Sequence, residues 1–201
     1  MKSKNIIISA GTHGIGFEIL KSFSNENNNI AFFSSTASRV QDVEEYLHKE
    51  KVNFISKVVD VLDENEVNGF CNEVRDKWDK VDILINNVGG GGSWGKESFL
   101  ETNTNVWNEV YQKNVKTAIV LTKFVLPFMK KNKWGRVITI ASSVAKKSVG
   151  RPWYLLAKKA EVSLMKSFSI DKEFVRSGIT FNSVSPGAIM IEDTGWHKKY
   201  I

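Results

Sequence analysis

Six short apolar runs divide this chain, with stretches of helical periodicity between them. The runs are Asn5–Ser9, Ile30–Ser34, Phe54–Val59, Asp82–Asn86, Gly135–Ala141 and Ile179–Ser185, and the helical windows lie near residues 14–24, 39–50, 63–78, 104–131 and 153–176. Ile and Val fill both faces of these runs, which is the pattern of strands covered on two sides. Spaced by helices and joined by right-handed crossovers, such strands wind into a parallel sheet with helices on both faces. The expected fold is therefore α/β, a doubly wound parallel sheet of six strands in a single domain over residues 1–201. No linker or repeat interrupts it, and Asn27–Asn29 reads as a polar turn before the second strand.

Composition narrows the setting. With 201 residues, 42% hydrophobic and 25% charged, the chain suffices for one sizeable core. Its one cysteine, Cys71, excludes an internal disulfide, sits in an amphipathic stretch as a small buried side chain, and suits a reducing compartment. The N-terminal MKSKNIIISAG has too short an apolar run for a secretion signal. The stretch Thr117–Met129 is broken by Lys123 and Pro127, so no membrane span is expected and the cytoplasm is the expected location. The formal charge of +6 comes from scattered lysines, with only short clusters at Lys130-Lys131 and Lys146-Lys147. That distribution fits a solvated surface that attracts anionic small molecules, not a nucleic-acid footprint.

Between the first strand and the first helix stand Gly11, Gly14 and Gly16. Glycines there let a ligand approach the backbone, and the helix N-terminus offers free N–H groups and a partial positive charge. A glycine-rich turn alone is equally a plain connection, so the residues that follow it decide. The loop reads Ser9-Ala10-Gly11-Thr12-His13-Gly14-Ile15-Gly16, and Asn86-Asn87-Val88-Gly89 follows the fourth strand. Asn114 lies in the fourth helical window, Ser142-Ser143 ends VITIASS, Tyr154-Leu-Leu-Ala-Lys158 opens the fifth window, and Ser185-Pro186-Gly187 follows the sixth strand. The Tyr-Lys spacing alone carries little weight in a lysine-rich chain. All these motifs in order, each at the C-terminal end of its element, resemble the short-chain dehydrogenase/reductase family, with its Rossmann fold.

That resemblance implies a dinucleotide pyrophosphate on the loop Gly11, Thr12, His13, Gly14, Ile15 and Gly16. It also implies cofactor contacts from Asp60 and Val61 to the adenine, from Asn87, Val88 and Gly89, and from Pro186, Gly187 and Ile189. A helix cap is the ordinary alternative for Asp60. Tyr154 would be the general acid/base, with Lys158 holding the nicotinamide ribose, Asn114 a relaying water, and a serine the substrate oxygen. Tyr154 and Lys158 lie four positions apart and share a helix face. A phenol titrates near 10, and bringing it to neutrality needs about 4 kcal/mol of differential stabilisation. A nearby ammonium together with a positive nicotinamide ring can supply that in a partly desolvated site.

The second strand ends Phe33-Ser34-Ser35-Thr36 with Arg39 following and no acid. A carboxylate at that point would bond the ribose 2′-hydroxyl of NAD. Its absence, with Ser35, Thr36, Arg39 and His13 at hand, favours the 2′-phosphate, hence NADP(H) over NAD(H). His13, His48 and His197 have no metal-ligand spacing, so no metal is expected.

Three departures stand out. Ala10 replaces the loop's first glycine, which Gly11 is expected to repair one residue on. The family has twelve residues between its serine and tyrosine, whereas Ser142 leaves eleven and Ser143 ten, so both remain candidates. Family members also continue through a further helix and a seventh strand, so six strands are expected here with the last at an exposed edge.

The expected activity is interconversion of a carbonyl and an alcohol by hydride transfer. The alternative is an impaired, shortened relative that binds dinucleotide as a sensor or interaction module. Ser34-Ser35-Thr36 and the later EEYL look most like 3-oxoacyl-[acyl-carrier-protein] reductases. The run Gly89–Gly92 with Trp94, Lys96, Arg151 and Trp153 would form a rim suited to an anionic acyl carrier or acidic sugar. Apolar residues extend around the fourth and fifth helical windows beyond one buried stripe, which predicts a homodimer, or a homotetramer, with these helices at the contact.

Overall fold

The computed structural model describes residues 3–96 and 98–189. Its strands are β1 Asn5–Ser9, β2 Asn29–Ser34, β3 Asn53–Val58, β4 Ile83–Asn86, β5 Gly135–Ile140 and β6 Ile179–Val184. They pair in the order β3-β2-β1-β4-β5-β6, every pair parallel. Each strand lies within one residue of its sequence-based range, because β-branched runs bounded by polar turns leave little choice of register.

The register separates two cores. Ile6, Ile8, Ile30, Phe32 and Ile85 pack on Leu20 of helix α1 (Gly14–Phe23) and on Val40, Val43 and Leu47 of α2 (Ala37–Lys49). Ile7, Ala31, Phe33, Leu84 and Val137 face the other way. They meet Val67, Phe70 and Val74 of α3 (Glu64–Lys77), Leu121, Val125 and Met129 of α5 (Thr117–Asn132), and Met165 of α7 (Pro152–Ile170). Each fully buried isoleucine of β1 contributes about 2 kcal/mol, so a one-residue slip of this strand is strongly disfavoured.

Three elements differ from expectation. The window 104–131 is not one regular helix. It comprises α4 (Thr104–Tyr111), a π-helical turn (Gln112–Lys116) and α5. A short helix, α6 (Val144–Lys147), follows β5. Helix α7 ends at Ile170 rather than 176, because Asp171 turns the chain by accepting a hydrogen bond from the Glu173 N–H at 2.8 Å. Phe174 then folds back onto Phe168 and Phe181.

Among the described residues β6 forms one edge of the sheet, and no helix is long and apolar enough to cross a membrane. Much of the apolar surplus on α4, α5 and α7 is used within the chain, where Val110, Leu121, Val125, Met129, Trp153 and Met165 are buried. Tyr111, Leu156 and Ile170 stay exposed. His197 and the closing GWHKKYI lie outside the described residues.

Candidate active site

All six strands point their C-terminal ends the same way, so the loops after β1 to β4 gather along one rim of the sheet. Ala10 leaves β1 with φ 50°, the left-handed region that glycine occupies most cheaply. The expected repair at Gly11 is thus corrected. Ala10 itself carries the turn, at a cost of about 1 kcal/mol, and Gly11 serves close packing. A Cβ on Gly11 would lie 3.2 Å from the Phe32 Cβ. Gly16 is more constrained still, since a Cβ there would overlap the Ala10 carbonyl and the Asn87 amide. Helix α1 opens at Gly14 without a side-chain cap, so its first turn has N–H groups available to an anion.

Ser9 and Asn87 tie this loop to the end of β4. The Asn87 and Val88 N–H groups donate to Ser9 Oγ at 2.8 and 3.0 Å. Asn87 Nδ2 donates to the Ser9 and Ala10 carbonyls at 3.2 and 3.1 Å. These ties leave a cavity of about 330 Å³ between the β1, β2, β3 and β4 loops. Of the cofactor-binding candidates from the sequence, Thr12, His13, Ser35, Thr36, Arg39, Asp60, Val61, Asn87, Val88 and Gly89 line it, together with Lys113, which sequence reading passed over. Lys113 could have been noticed as the cation next to Asn114. Arg39 is exposed and has no ion-pair partner among the described residues. Asp60 does not cap α3, a role taken by Asp63, which accepts from the Asn65 N–H at 2.8 Å.

A second group of side chains meets the cavity at Gly89. The π turn presents Asn114, 1% exposed, with its amide donating to the Gly90 and Val110 carbonyls at 2.9 and 2.8 Å. A Cβ on Gly89 would stand 3.0 Å from Lys158 Nζ and 3.3 Å from Asn114 Oδ1, so a side chain there would press both groups aside. Lys158 Nζ lies 5.7 Å from the Tyr154 ring centroid. The Tyr154 ring in turn flanks Gly92. Burial raises the Tyr154 phenol above its usual range, a hydrogen bond with the Ser142 side chain pulls it down, and the charge of Glu161 raises it again.

Of the two candidate serines, Ser142 therefore meets the phenol. Ser143 instead opens α6 and donates its N–H to the Pro186 carbonyl at 2.8 Å. Pro186, Gly187 and Ile189 do not line the cavity, and Gly187 and Ile189 are exposed.

The rim residues divide. Arg151 Nη1 donates to the carbonyls of Ser93, Trp94 and Gly95 at 3.1, 2.6 and 2.7 Å, pinning the glycine-rich loop to the start of α7. Trp153 is buried edge-on to Trp107. Lys113 Nζ stands 4.9 Å from the Trp94 ring centroid, while Lys96 pairs with Glu101 at the surface.

Comparison with known proteins returns one consistent likeness. A family model described as short chain dehydrogenase matches residues 4–198. A 3-oxoacyl-[acyl-carrier-protein] reductase of Buchnera aphidicola subsp. Baizongia pistaciae is 32% identical over 188 residues, covering 92% of this chain and 74% of that protein. The L-sorbose reductase of Gluconobacter frateurii, solved with NADPH and L-sorbose, superposes with a TM-score of 0.87 at 25% identity, over 99% of this chain and 80% of that one. A 7α-hydroxysteroid dehydrogenase solved with NADH and 7-oxo glycochenodeoxycholic acid gives 0.83 at 27% identity, over 94% and 72%.

Proposed function

Since the chain belongs to the short-chain dehydrogenase/reductase family and is an NAD(P)-dependent oxidoreductase of it, we propose that it interconverts a carbonyl and an alcohol, with NADP(H) as its preferred dinucleotide. The observation that carries this reading is the meeting of Lys158 and Asn114 at Gly89, a residue of the cavity lining, with the Tyr154 ring beside Lys158. The cradle fits a dinucleotide, because Thr12 and His13 line the cavity beside the uncapped N-terminus of α1, whose first-turn N–H groups are available to an anion.

In this reading the loop from Gly11 to Gly16 holds the pyrophosphate, and Asp60 and Val61 flank the adenine. Asn87 to Gly89 and Lys158 take the nicotinamide ribose, and Pro186, Gly187 and Ile189 lie toward the nicotinamide. When bound, NADPH supplies the hydride. Tyr154 gives its proton to the carbonyl oxygen during reduction and takes it back during alcohol oxidation. The Ser142 hydroxyl orients that oxygen, and Asn114 Oδ1 holds a water that returns protons by way of Lys158. Trp94 and Lys113 at the mouth favour substrates carrying an anionic group, free or carrier-bound. The buried Cys71 thiol, raised to about 11 by desolvation, is compatible with a cytoplasmic setting. A panel of carbonyl compounds screened for NADPH consumption tests the activity. Dinucleotide binding with no turnover on any of them would favour the sensor alternative.

The cofactor preference has its own test. Ser35, Thr36 and Arg39, which has no ion-pair partner among the described residues, line the cavity with no acid at the end of β2. NADPH is therefore expected to bind at least about tenfold more tightly than NADH, and Arg39→Asp to reverse the order. Nucleotide fluorescence titration reads both, and equal affinities in the parent protein would remove the preference. Exposed Tyr111 on α4 and Leu156 and Ile170 on α7 support a homodimer built on these helices. Light scattering that finds a monodisperse, folded monomer at micromolar concentration would contradict it.

A further inference from the structure

Helix α7 buries an acid beside its lysine. Glu161 is 1% exposed and Lys158 2%, one turn apart on the same face. Lys158 Nζ donates to Glu161 Oε1 at 3.2 Å and to the Ile140 carbonyl, at the end of β5, also at 3.2 Å. Glu161 Oε2 lies 3.0 Å from the same nitrogen but accepts no hydrogen bond. A buried ion pair contributes little net stability compared with apolar residues of the same volume, so packing gives no reason for an acid here. Its position matters electrically. The Tyr154 phenol needs an uncompensated cation beside it, and an ionised Glu161 compensates that cation.

We propose that Glu161 is a positioning residue that holds Lys158 Nζ against the end of β5 and, as the lysine's counter-charge, sets the pH range in which Tyr154 works. This deepens the reading given above and rests on it. While Glu161 is ionised, the Lys158–Glu161 pair is neutral and the phenol keeps its proton. When Glu161 takes up a proton, the pair becomes a cation, which favours the phenolate. Burial pushes the Glu161 carboxyl up to about 7 against the pull of Lys158, so both states fall in the physiological range.

Lys158 is the charge that acts on Glu161, and Tyr154 is the other titratable group of the cluster on α7. The charged groups on the elements packed against α7 are engaged or exposed elsewhere. Arg136 of β5 lies over Trp134, Lys116 of the π turn pairs with Glu64, and Lys113 stands over Trp94. Glu109 of α4 and Lys146 and Lys147 of α6 are exposed, and β6 carries no charged residue.

The test is the pH dependence of alcohol oxidation, whose rising limb follows ionisation of the phenol. With Glu161→Gln the limb is expected about one unit lower, a roughly tenfold gain in kcat/KM at a pH on the parent's rising limb. Glu161→Asp, which keeps the charge, should stay with the parent. A purely structural role would lower the rate of Glu161→Gln without moving its limb, and a limb unmoved in Glu161→Gln overturns the proposal. Tyr154→Phe is assayed alongside. If it retains turnover, the tyrosine mechanism itself fails. If it is inactive while the Glu161→Gln limb is unmoved, only the role of Glu161 fails.

A measurement on the parent protein needs no substitution to fold. Its side-chain carboxyl ¹³C spectrum should contain one glutamate titrating near 7. All glutamates titrating in their ordinary range of about 4 to 5 would overturn the proposal.

Discussion

Tyr154→Phe is expected to lower turnover about a thousandfold while leaving NADPH affinity within about threefold of the parent. The substitution keeps the ring that flanks Gly92 and removes the hydroxyl whose ionisation the Ser142 side chain favours. The ring packing is unchanged, so the variant should melt close to the parent. In the proposed mechanism the chemistry loses its proton donor, which the Ser142 hydroxyl cannot replace at neutral pH. Lys158→Ala should behave differently. It removes the proposed ribose contact and leaves Glu161 buried without its cation, so turnover, affinity and stability should all fall, the last by about 3 kcal/mol. Steady-state rates, nucleotide titration and thermal melting of the two variants separate these outcomes. A Tyr154→Phe protein with most of its rate would remove the tyrosine from the mechanism.

Gly16→Ala is expected to abolish the response to dinucleotide although it adds a single methyl group. The new Cβ would overlap the Ala10 carbonyl and the Asn87 amide, neither of which can retreat. Ala10 already occupies the left-handed region, and Asn87 Nδ2 is held between two carbonyls. Relief requires moving the start of α1 away from β4, which opens the cradle and disturbs the Ser9 ties. The expected loss is about 3 kcal/mol of stability and at least a hundredfold in NADPH affinity, about 2.7 kcal/mol of binding. Thermal melts with and without NADPH read both. A variant whose melting temperature still rises normally with NADPH would show that the loop has another way to relax.

The sheet was legible because Ile, Val and Phe runs ending at polar turns encode both strand position and burial. The β1–β2–β3 cavity wall was legible too, since residues such as Thr12, Thr36 and Asp60 sit at strand ends that topology alone brings together. The π turn was not. QKNVK carries no glycine or proline to mark it, and what accompanies it is tertiary, the Asn114 amide bonding Gly90 as well as Val110. The same blind spot hid Lys113, whose approach to the cavity depends on that turn. Spacing could not choose between Ser142 and Ser143, because α6 changes the path of the chain between β5 and α7. Glu161 passed unnoticed because one acid on a long helix reads as surface. Its place one turn beyond Lys158 on a buried face was the available signal.

The central place of β1 has a consequence for how the protein comes into being. On the ribosome, β1, β2 and β3 can pair as soon as their helices emerge, yet β1 then presents one open edge, Ile6-Ile7-Ile8, until Ile83-Leu84-Ile85 arrives. The contacts that close this edge span long stretches of the chain, 77 residues from Asn5 to Asp82 and 79 from Ser9 to Val88. Loop closure over such separations is slow compared with local pairing. A nascent intermediate therefore carries three adjacent isoleucines on an unpaired strand, a template for other chains in the same state. Lys4 and Asn5 flank that edge with a charge and a polar amide, the chain's own guard against premature self-association during synthesis.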